Sequence, residues 1–368
     1  MNINRRAFLG TALGAAAMSG CRTAATVAKV PEYDFKWIDL IHFGMKMWGD
    51  MPRDFPRKGI MTKCLTDEEY AILSRPEHRD LNRMHFEEPF WKELSLKLRQ
   101  SGCNTLMIDV GEGLIYPSHP ELALKDSWSA DRLKAEVDRL RGMGFELIPK
   151  LNFSTTHDAW LGPYERMVST PKYYEVCADV IRDTMDVFGP VKAFHIGFDE
   201  EEMVSYQKAS SMVMYRQGDL WWHDINWFVR EVEKYGARPW VWSDYFWHNT
   251  ESFTKNMSRS VLQSNWFYAR FKNYPEGDIA NKRISSYEEL DALGFDQVPC
   301  MSTCRGFDGA VDNCVQTLIH AKTKMADERV KGFLMAPWRN TIPLEVHYLK
   351  DAALRLADAR KRIYPETL

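Results

Sequence analysis

The chain has 368 residues, of which 45% are hydrophobic and 27% are charged, so it can bury a large core and is too apolar for a disordered protein. The 48 basic residues nearly balance the 51 acidic ones, and a net charge of -3 argues against a general electrostatic surface for nucleic acid. Aromatic residues make up 13% of the chain and include 13 tryptophans. A buried indole N–H needs a hydrogen-bond partner, so a soluble core rarely holds this many tryptophans. The excess therefore indicates a ligand with flat apolar faces.

The first element in chain order is an export signal, predicted over residues 1–20. The segment Arg5–Leu9 resembles the twin-arginine export motif, and the apolar run after it is too short to span a membrane. Met18–Cys21 resembles a lipobox, so Cys21 is predicted to carry lipid, with residues 21–34 as a polar tether. We therefore expect an exported protein of the periplasm or cell envelope that contacts a membrane only through this lipid.

Residues 35–368 repeat one rhythm, a short apolar run followed by a longer amphipathic stretch. The short runs are rich in β-branched or aromatic residues, which predicts strands, and several longer stretches end at a glycine, which is an ordinary helix stop. The predicted strands are Trp37–Phe43, Thr105–Val110, Glu146–Leu151, Ala193–Gly197, Pro239–Trp242, Val261–Ser264, Gln297–Met301 and Gly332–Ala336. The predicted helices are Pro89–Gln100, Ala130–Met143, Tyr173–Phe188, Leu220–Tyr235, Asn313–Asp327 and Leu344–Arg362, with shorter pieces at Ser252–Asn256 and Tyr287–Leu293.

Eight strand–helix alternations predict a single α/β domain, a (β/α)8 TIM barrel. A doubly wound open sheet is the main alternative, but no Gly-x-Gly-x-x-Gly opens a helix after the first strand. The long insertion 49–87 after the first strand would lie over the face where the loops build the site. Besides Cys21, the cysteines show no zinc-ligand spacing and lie mostly in apolar runs, which favours buried free thiols.

Carboxylates and aromatic residues cluster at the predicted carboxyl ends of the strands, where barrels of this kind place their chemistry. Acids transfer protons and indole faces stack on the apolar face of a pyranose ring, so this combination predicts a sugar site. Asp109, Glu112 and Asp244 have an equal alternative as solvated loop acids or helix caps, and Asp244 could also serve as a nucleophile. The predicted glycan-binding residues are Trp48, Asp109, His157, Trp242, Asp244, Trp266, Tyr268, Trp338 and Asn340.

The sharpest local signal is the pair Asp199 and Glu200, which follows the fourth predicted strand. Adjacent carboxylates at the end of a buried strand repel each other, so one of them should have a raised pKa and could donate a proton near neutral pH. Glu200 is the candidate acid. The alternative is that residues 199–202 form an acidic helix start, which the helix dipole would favour.

The segment His195–Glu200 reads His-Ile-Gly-Phe-Asp-Glu and resembles the His-x-Gly-Gly-Asp-Glu motif of family 20 glycoside hydrolases, the β-N-acetylhexosaminidases. That family also has a (β/α)8 barrel, with its motif at the end of strand four. The resemblance implies that Glu200 protonates the glycosidic oxygen and then activates water. It implies that Asp199 orients the substrate's own 2-acetamido group for attack on the anomeric carbon. Tyr268, or Tyr245 as second choice, would hold the acetamido oxygen, and no cofactor or metal is implied.

Two departures mark the chain as a divergent relative of that family. Phe198 replaces the second glycine of the motif, and the family's Trp-x-Glu at strand eight reads Trp338-Arg339-Asn340 here. The prediction is an exo-acting hydrolase of terminal β-linked N-acetylhexosamine that retains configuration by substrate assistance. One alternative is a non-catalytic glycan-binding lipoprotein that uses the tryptophans alone. The other is a metal-dependent sugar isomerase or epimerase with Glu112, His157, Asp199 and Asp244 as metal ligands.

Overall fold

The structure, a computed structural model, describes residues 35–48, 65–75, 78, 80, 82–202, 213–303 and 312–368. Eight parallel strands form one sheet in the order β6-β5-β4-β3-β2-β1-β8-β7. The predicted signal 1–20 and the lipid-bearing Cys21 lie outside the described residues. The strands are β1 (Lys36–His42), β2 (Thr105–Asp109), β3 (Glu146–Lys150), β4 (Ala193–His195), β5 (Arg238–Trp242), β6 (Leu262–Ser264), β7 (Cys300–Met301) and β8 (Gly332–Met335).

The sheet closes on itself between β6 and β7. The Val298 N–H donates to the carbonyl of Gln263 at 2.8 Å, and the Cys300 N–H donates to the carbonyl of Asn265 at 2.9 Å. These bonds lie on two further parallel bridges and join the sheet's two outermost strands. The predicted (β/α)8 barrel is therefore confirmed.

Helices follow the strands around the outside of the barrel. The helix after β6 begins eight residues earlier than the predicted Tyr287–Leu293, at Ile279, because its first half is largely polar and lacks an apolar repeat. None of the described helices is long and apolar enough to cross a bilayer. The helices are α1 (Asp67–Leu73), α2 (Glu88–Gln100), α3 (Ala130–Gly142), α4 (Pro171–Phe188), α5 (Asp219–Glu233), α6 (Tyr245–His248), α7 (Thr250–Asn256), α8 (Ile279–Ala292), α9 (Asn313–Lys324) and α10 (Val346–Ile363).

The barrel interior changes from apolar to polar toward the carboxyl ends of the strands. Its middle is filled by buried side chains such as Leu40, Met107, Ile148, Trp240 and Leu334. The last residues of the first four strands pair in register and place a buried polar layer above that core. This layer consists of His42, Asp109, Lys150 and His195.

The four described cysteines, Cys103, Cys177, Cys300 and Cys314, are buried and free, which confirms the predicted thiols at these positions. Cys64 and Cys304 lie outside the described residues. The insertion after β1 is described in part, and its α1 region packs through Leu65 and Leu73 against Ile342 and Tyr348, which follow β8.

Asp39 is a buried carboxylate on β1 that should make folding stability depend on pH. Burial raises its pKa from 3.8 to about 7, a hydrogen bond with Cys103 opposes the shift, and its Oδ2 has no hydrogen-bond partner among the described residues. The folded chain therefore holds this proton more tightly than the unfolded chain. The contribution of this proton to the free energy of unfolding is fully present below the pKa of Asp39 in the unfolded chain. It is lost as the pH rises toward 7, and above pH 7 the free energy of unfolding is lower by roughly 4 kcal/mol.

Asp39→Asn should remove this dependence because the amide does not titrate. Urea unfolding from about pH 4 to about pH 8 should show wild type losing several kcal/mol relative to the variant. Titrating groups that do not interact with Asp39 cancel in the comparison. Parallel profiles for the two proteins would show that folding does not raise the pKa of Asp39.

Candidate active site

The backbone turns sharply where β4 ends, and this turn carries the two candidate catalytic carboxylates. Gly197, Phe198 and Glu200 all have left-handed φ values, of 77°, 69° and 56°. A Cβ at Gly197 would lie 1.9 Å from Oδ1 of Asn152, so only glycine fits that position. Phe198 also has a left-handed backbone, which a glycine at this position would adopt at lower cost because it has no side chain to clash.

Asp199 is held by the segment that follows β3. Its Oδ1 accepts a hydrogen bond from Nδ2 of Asn152 at 2.9 Å, and its main-chain carbonyl accepts one from the hydroxyl of Ser154 at 2.5 Å. His157, from the same segment, places Nε2 3.4 Å from Oε2 of Glu200 and Nδ1 3.9 Å from Oδ1 of Asp199. The structure thus brings the predicted residue His157 to both carboxylates.

Glu200 combines a desolvated position with access from outside, since 41% of its side chain is exposed. Burial raises the pKa of its carboxyl group, and the neighbouring charges of Asp199 and Glu202 raise it further, against the lowering effect of His157 and Arg283. A raised pKa favours the protonated form that a general acid needs.

Asp244 fastens Glu200 to the ends of β5 and β6. Its Oδ2 accepts the Glu200 N–H at 2.6 Å, and its Oδ1 accepts the indole N–H of Trp266 at 3.3 Å. Burial, followed by the charge of Asp199, raises the pKa of Asp244 well above its ordinary value. Asp244 is 5% exposed and makes no side-chain cap of α6, so the alternative of a solvated acid or helix cap is wrong.

Aromatic rings line the ends of β5, β6 and β8. Trp266 stacks on Tyr268 with centroids 5.2 Å apart, and Trp338 lies 6.3 Å from Tyr268 and 6.0 Å from Trp242. Trp242 is 2% exposed, so Trp266 and Trp338, which are partly buried, offer the more accessible indole surfaces. Trp48 ends a 3₁₀ turn after β1, and its side chain lies outside the described part of the structure.

The tryptophans of α5 and the second-choice tyrosine have packing roles. Trp221 and Trp222 are buried on α5, as predicted, and Trp227 is partly buried against the core. Tyr245 stacks on Trp221 with ring centroids 3.7 Å apart.

Two predicted acids at the end of β2 and just beyond it are tied to the protein itself. Asp109 is buried, with its Oδ2 2.5 Å from Nζ of Lys150 and 3.3 Å from Nδ1 of His42. The alternative of a solvated loop acid or helix cap is therefore wrong for Asp109. Oε1 of Glu112 accepts the N–H groups of Met45 and Lys46, at 2.7 and 2.8 Å, and so fixes the segment after β1.

At the end of β8, Asn340 donates its backbone N–H to Oε2 of Glu345 at 2.8 Å. Its side-chain Oδ1 is buried and has no hydrogen-bond partner among the described residues. Its sugar contact stays a prediction, as do those of the other residues named from the sequence.

Sequence reasoning missed the partners of the acidic run that continues past Glu200. Glu201 pairs with the buried Arg216, and Glu202 pairs with His248. The run holds more acidic residues than an acid pair needs, and this excess was a signal that some of them pair with basic residues. The sequence could not identify the partners of Glu201 and Glu202, because they lie on other segments. Among the described residues, no three His, Cys, Asp or Glu side chains are arranged to hold a metal ion.

Comparisons with known proteins give a match in structure and none in sequence. No protein-family sequence model and no curated protein matches the chain. Its fold is similar to dispersin B, at 15% identity and a TM-score of 0.52 over 75% of this chain and 95% of that one. A chitobiase from Flavobacterium johnsoniae aligns at 15% identity and a TM-score of 0.53, over 76% of this chain and 48% of that one. The family 20 β-N-acetylhexosaminidase from Streptomyces coelicolor A3(2) aligns at 12% identity and a TM-score of 0.52, over 89% of this chain and 64% of that one.

These proteins share the chain's fold. The chain covers nearly all of dispersin B, but only about half of the chitobiase and under two-thirds of the Streptomyces enzyme. The (β/α)8 fold that the resemblance of His195–Glu200 implied is therefore confirmed.

Proposed function

We propose that the protein is a glycoside hydrolase that releases a terminal β-linked N-acetylhexosamine from a glycan, with retention of configuration. The observation that carries the proposal is the pair Asp199 and Glu200 at the end of β4, in a barrel whose fold is similar to β-N-acetylhexosaminidases. The partly exposed rings of Trp266 and Trp338 nearby suit the apolar face of a sugar.

In the first step the substrate's acetamido oxygen attacks the anomeric carbon and forms a fused five-membered ring. The glycosidic C–O bond breaks, its electron pair goes to the leaving oxygen, and Glu200 donates a proton to that oxygen. Asp199 accepts a hydrogen bond from the acetamido N–H and stabilises the positive charge that develops on this nitrogen. The raised pKa of Glu200 supports its role as the acid.

In the second step a water molecule attacks the anomeric carbon from the side that the leaving group vacated. The Glu200 carboxylate takes a proton from this water, and the bond to the acetamido oxygen breaks. Two inversions at one carbon give net retention, and Glu200 ends protonated for the next cycle. Asn152 and His157 contact the two carboxylates and support their orientation in both steps.

Export also belongs to the proposal. The Arg5–Leu9 and Met18–Cys21 segments support an envelope lipoprotein, in which the barrel would meet glycans outside the cytoplasm.

The test is a panel of aryl β-glycosides of N-acetylglucosamine, N-acetylgalactosamine and glucose, assayed with and without EDTA. We expect hydrolysis of the acetamido sugars only, unchanged by the chelator, and slower reaction of an N-trifluoroacetyl analogue because fluorine weakens the acetamido nucleophile. Equal rates on the glucoside would overturn substrate assistance. Chelator-sensitive isomerisation of the corresponding free sugars, assayed alongside, would support the metal-dependent alternative. Binding of the glycosides without turnover would support the glycan-binding one.

A further inference from the structure

A buried ionic cluster begins at the residue that follows the candidate acid Glu200. It consists of Glu201, Arg216 and Asp224, and the side chains of Glu201 and Arg216 are fully buried. The guanidinium of Arg216 forms a two-pronged pair with Glu201, with Nε 2.8 Å from Oε2 and Nη2 2.6 Å from Oε1. Its Nη1 lies 3.0 Å from Oδ2 of Asp224, in the second turn of α5. Glu201 is covalently next to Glu200, so this cluster fixes the acid's own backbone.

The same guanidinium also holds the segment after β3. Nη2 of Arg216 donates to the carbonyl of Phe153 at 2.7 Å, and Oε1 of Glu201 accepts the Thr155 N–H at 2.9 Å. These two backbone contacts flank Ser154 and lie between Asn152 and His157, the side chains that contact the two carboxylates. One buried cation therefore joins the two segments whose relative position sets the site.

The backbone that this cluster holds is unfavourable by itself. Phe198 and Glu200 are both left-handed, and each such non-glycine residue costs roughly 1–2 kcal/mol. The guanidinium carbon of Arg216 lies 4.3 Å from the centre of the Phe198 ring, which adds a cation–π contact at the strained turn. Arg216 thus contacts the turn on both sides of Asp199.

Burying three charges is a poor way to gain stability alone, because desolvation offsets most of the attraction between them. Asp224 also accepts hydrogen bonds from the hydroxyls of Ser169 and Tyr174, so every carboxylate oxygen of the cluster has a hydrogen-bond donor within the protein. The cluster therefore contributes a fixed geometry, because it connects the two segments through buried hydrogen bonds.

We propose that Arg216 is a positioning residue for the acid Glu200, which sets the orientation of that carboxyl group through Glu201 and the Phe153–Thr155 backbone. The inference rests on the proposed function. Arg216→Lys would keep the positive charge but would lose the planar, forked guanidinium. The lysine ammonium group could not bind Glu201, Asp224 and the Phe153 carbonyl together. The acid would become more mobile and better hydrated.

The experiment compares Arg216→Lys with Arg238→Lys in the full chain. Arg238 is also a buried arginine, paired with Asp296 at 2.9 Å and donating to the carbonyl of Ser260 at 2.7 Å, but it lies at the amino end of β5, away from the site. We expect both variants to lose thermal stability. Only Arg216→Lys should lower kcat, by about 10- to 100-fold with little change in KM, since misplacing a reacting group has effects of this size. It should also move the alkaline limb of kcat/KM to lower pH, because hydration lowers the raised pKa of Glu200.

Glu201→Gln is the second variant, since it keeps the side-chain shape if Arg216→Lys fails to fold, and it should move the same limb in the same direction. An unchanged pH profile and an activity that follows only the folded fraction, as in Arg238→Lys, would reduce Arg216 to a structural role. Activity in wild type and Arg238→Lys establishes the proposed function independently. Its absence in wild type overturns that function and this inference with it.

Discussion

Replacing Glu200 with Gln should lower kcat on an unactivated N-acetyl-β-glycoside by about 10²- to 10⁴-fold, the usual contribution of a general acid–base residue. The amide keeps the size of the side chain and cannot donate or accept the transferred proton. Folding should be little affected, because the substitution leaves in place both the hydrogen bond from the backbone N–H of residue 200 to Asp244 and the neighbouring Glu201–Arg216 pair.

The identity of the leaving group separates loss of the acid from general damage. A dinitrophenolate needs little protonation to leave, so kcat/KM for a dinitrophenyl glycoside should fall far less than for a methyl glycoside. Glu146→Gln is the matched control, since this acid pairs with Lys36 and Lys192 at the amino end of β3, away from the site. Undiminished turnover of the methyl glycoside by Glu200→Gln would show that another group is the acid.

The barrel was predictable because its signal is repeated and local. Each short apolar run followed by an amphipathic stretch corresponds to one strand and one helix, with bounds that differ mostly by one or two residues. The largest difference among the strands is at β7, predicted over Gln297–Met301 and observed only at Cys300–Met301. Pro299 lacks an N–H and interrupts the ladder there, while Gln297 still forms bridges with Gln263 and Val330.

The site was predictable only where its residues are neighbours in sequence or in strand register. Asp199 and Glu200 are adjacent, and their position after a strand indicates their place. The Asp109–Lys150 pair could also have been predicted from the sequence. The two residues are the last of neighbouring strands and pair in register, and a lysine in an apolar strand needs a counter-charge.

The contacts that orient the catalytic pair were beyond sequence reasoning. Asn152 is 47 residues from Asp199, and Asp244 is 44 residues from Glu200. Their meeting depends on the path of irregular segments whose φ and ψ values no periodicity encodes. The left-handed conformation of Phe198 shows the same limit, since an aromatic residue gives no local sign of a turn that favours glycine.

Replacing Asp199 with Asn should lower kcat on N-acetyl substrates by about 10²- to 10³-fold, the cost of removing one group that stabilises transition-state charge. The asparagine carbonyl can still accept the hydrogen bond from Asn152, so the turn should keep its shape. A neutral amide stabilises a positive acetamido nitrogen much less than a carboxylate does.

The pattern across substrates distinguishes Asp199 from Glu200. Asp199 acts on the nucleophile, so its replacement should slow hydrolysis of the dinitrophenyl and methyl glycosides to a similar extent. Loss of Glu200 should affect the dinitrophenyl glycoside far less than the methyl glycoside.

The competing scheme has Asp244 as a covalent nucleophile, and Asp244→Gly with added azide would then form a glycosyl azide of inverted configuration. Both Asp244 oxygens already accept hydrogen bonds, from the Glu200 N–H and the Trp266 indole, so either oxygen would be a weakened nucleophile. We therefore expect no azide product, and its appearance would transfer the nucleophile's role from the substrate to Asp244.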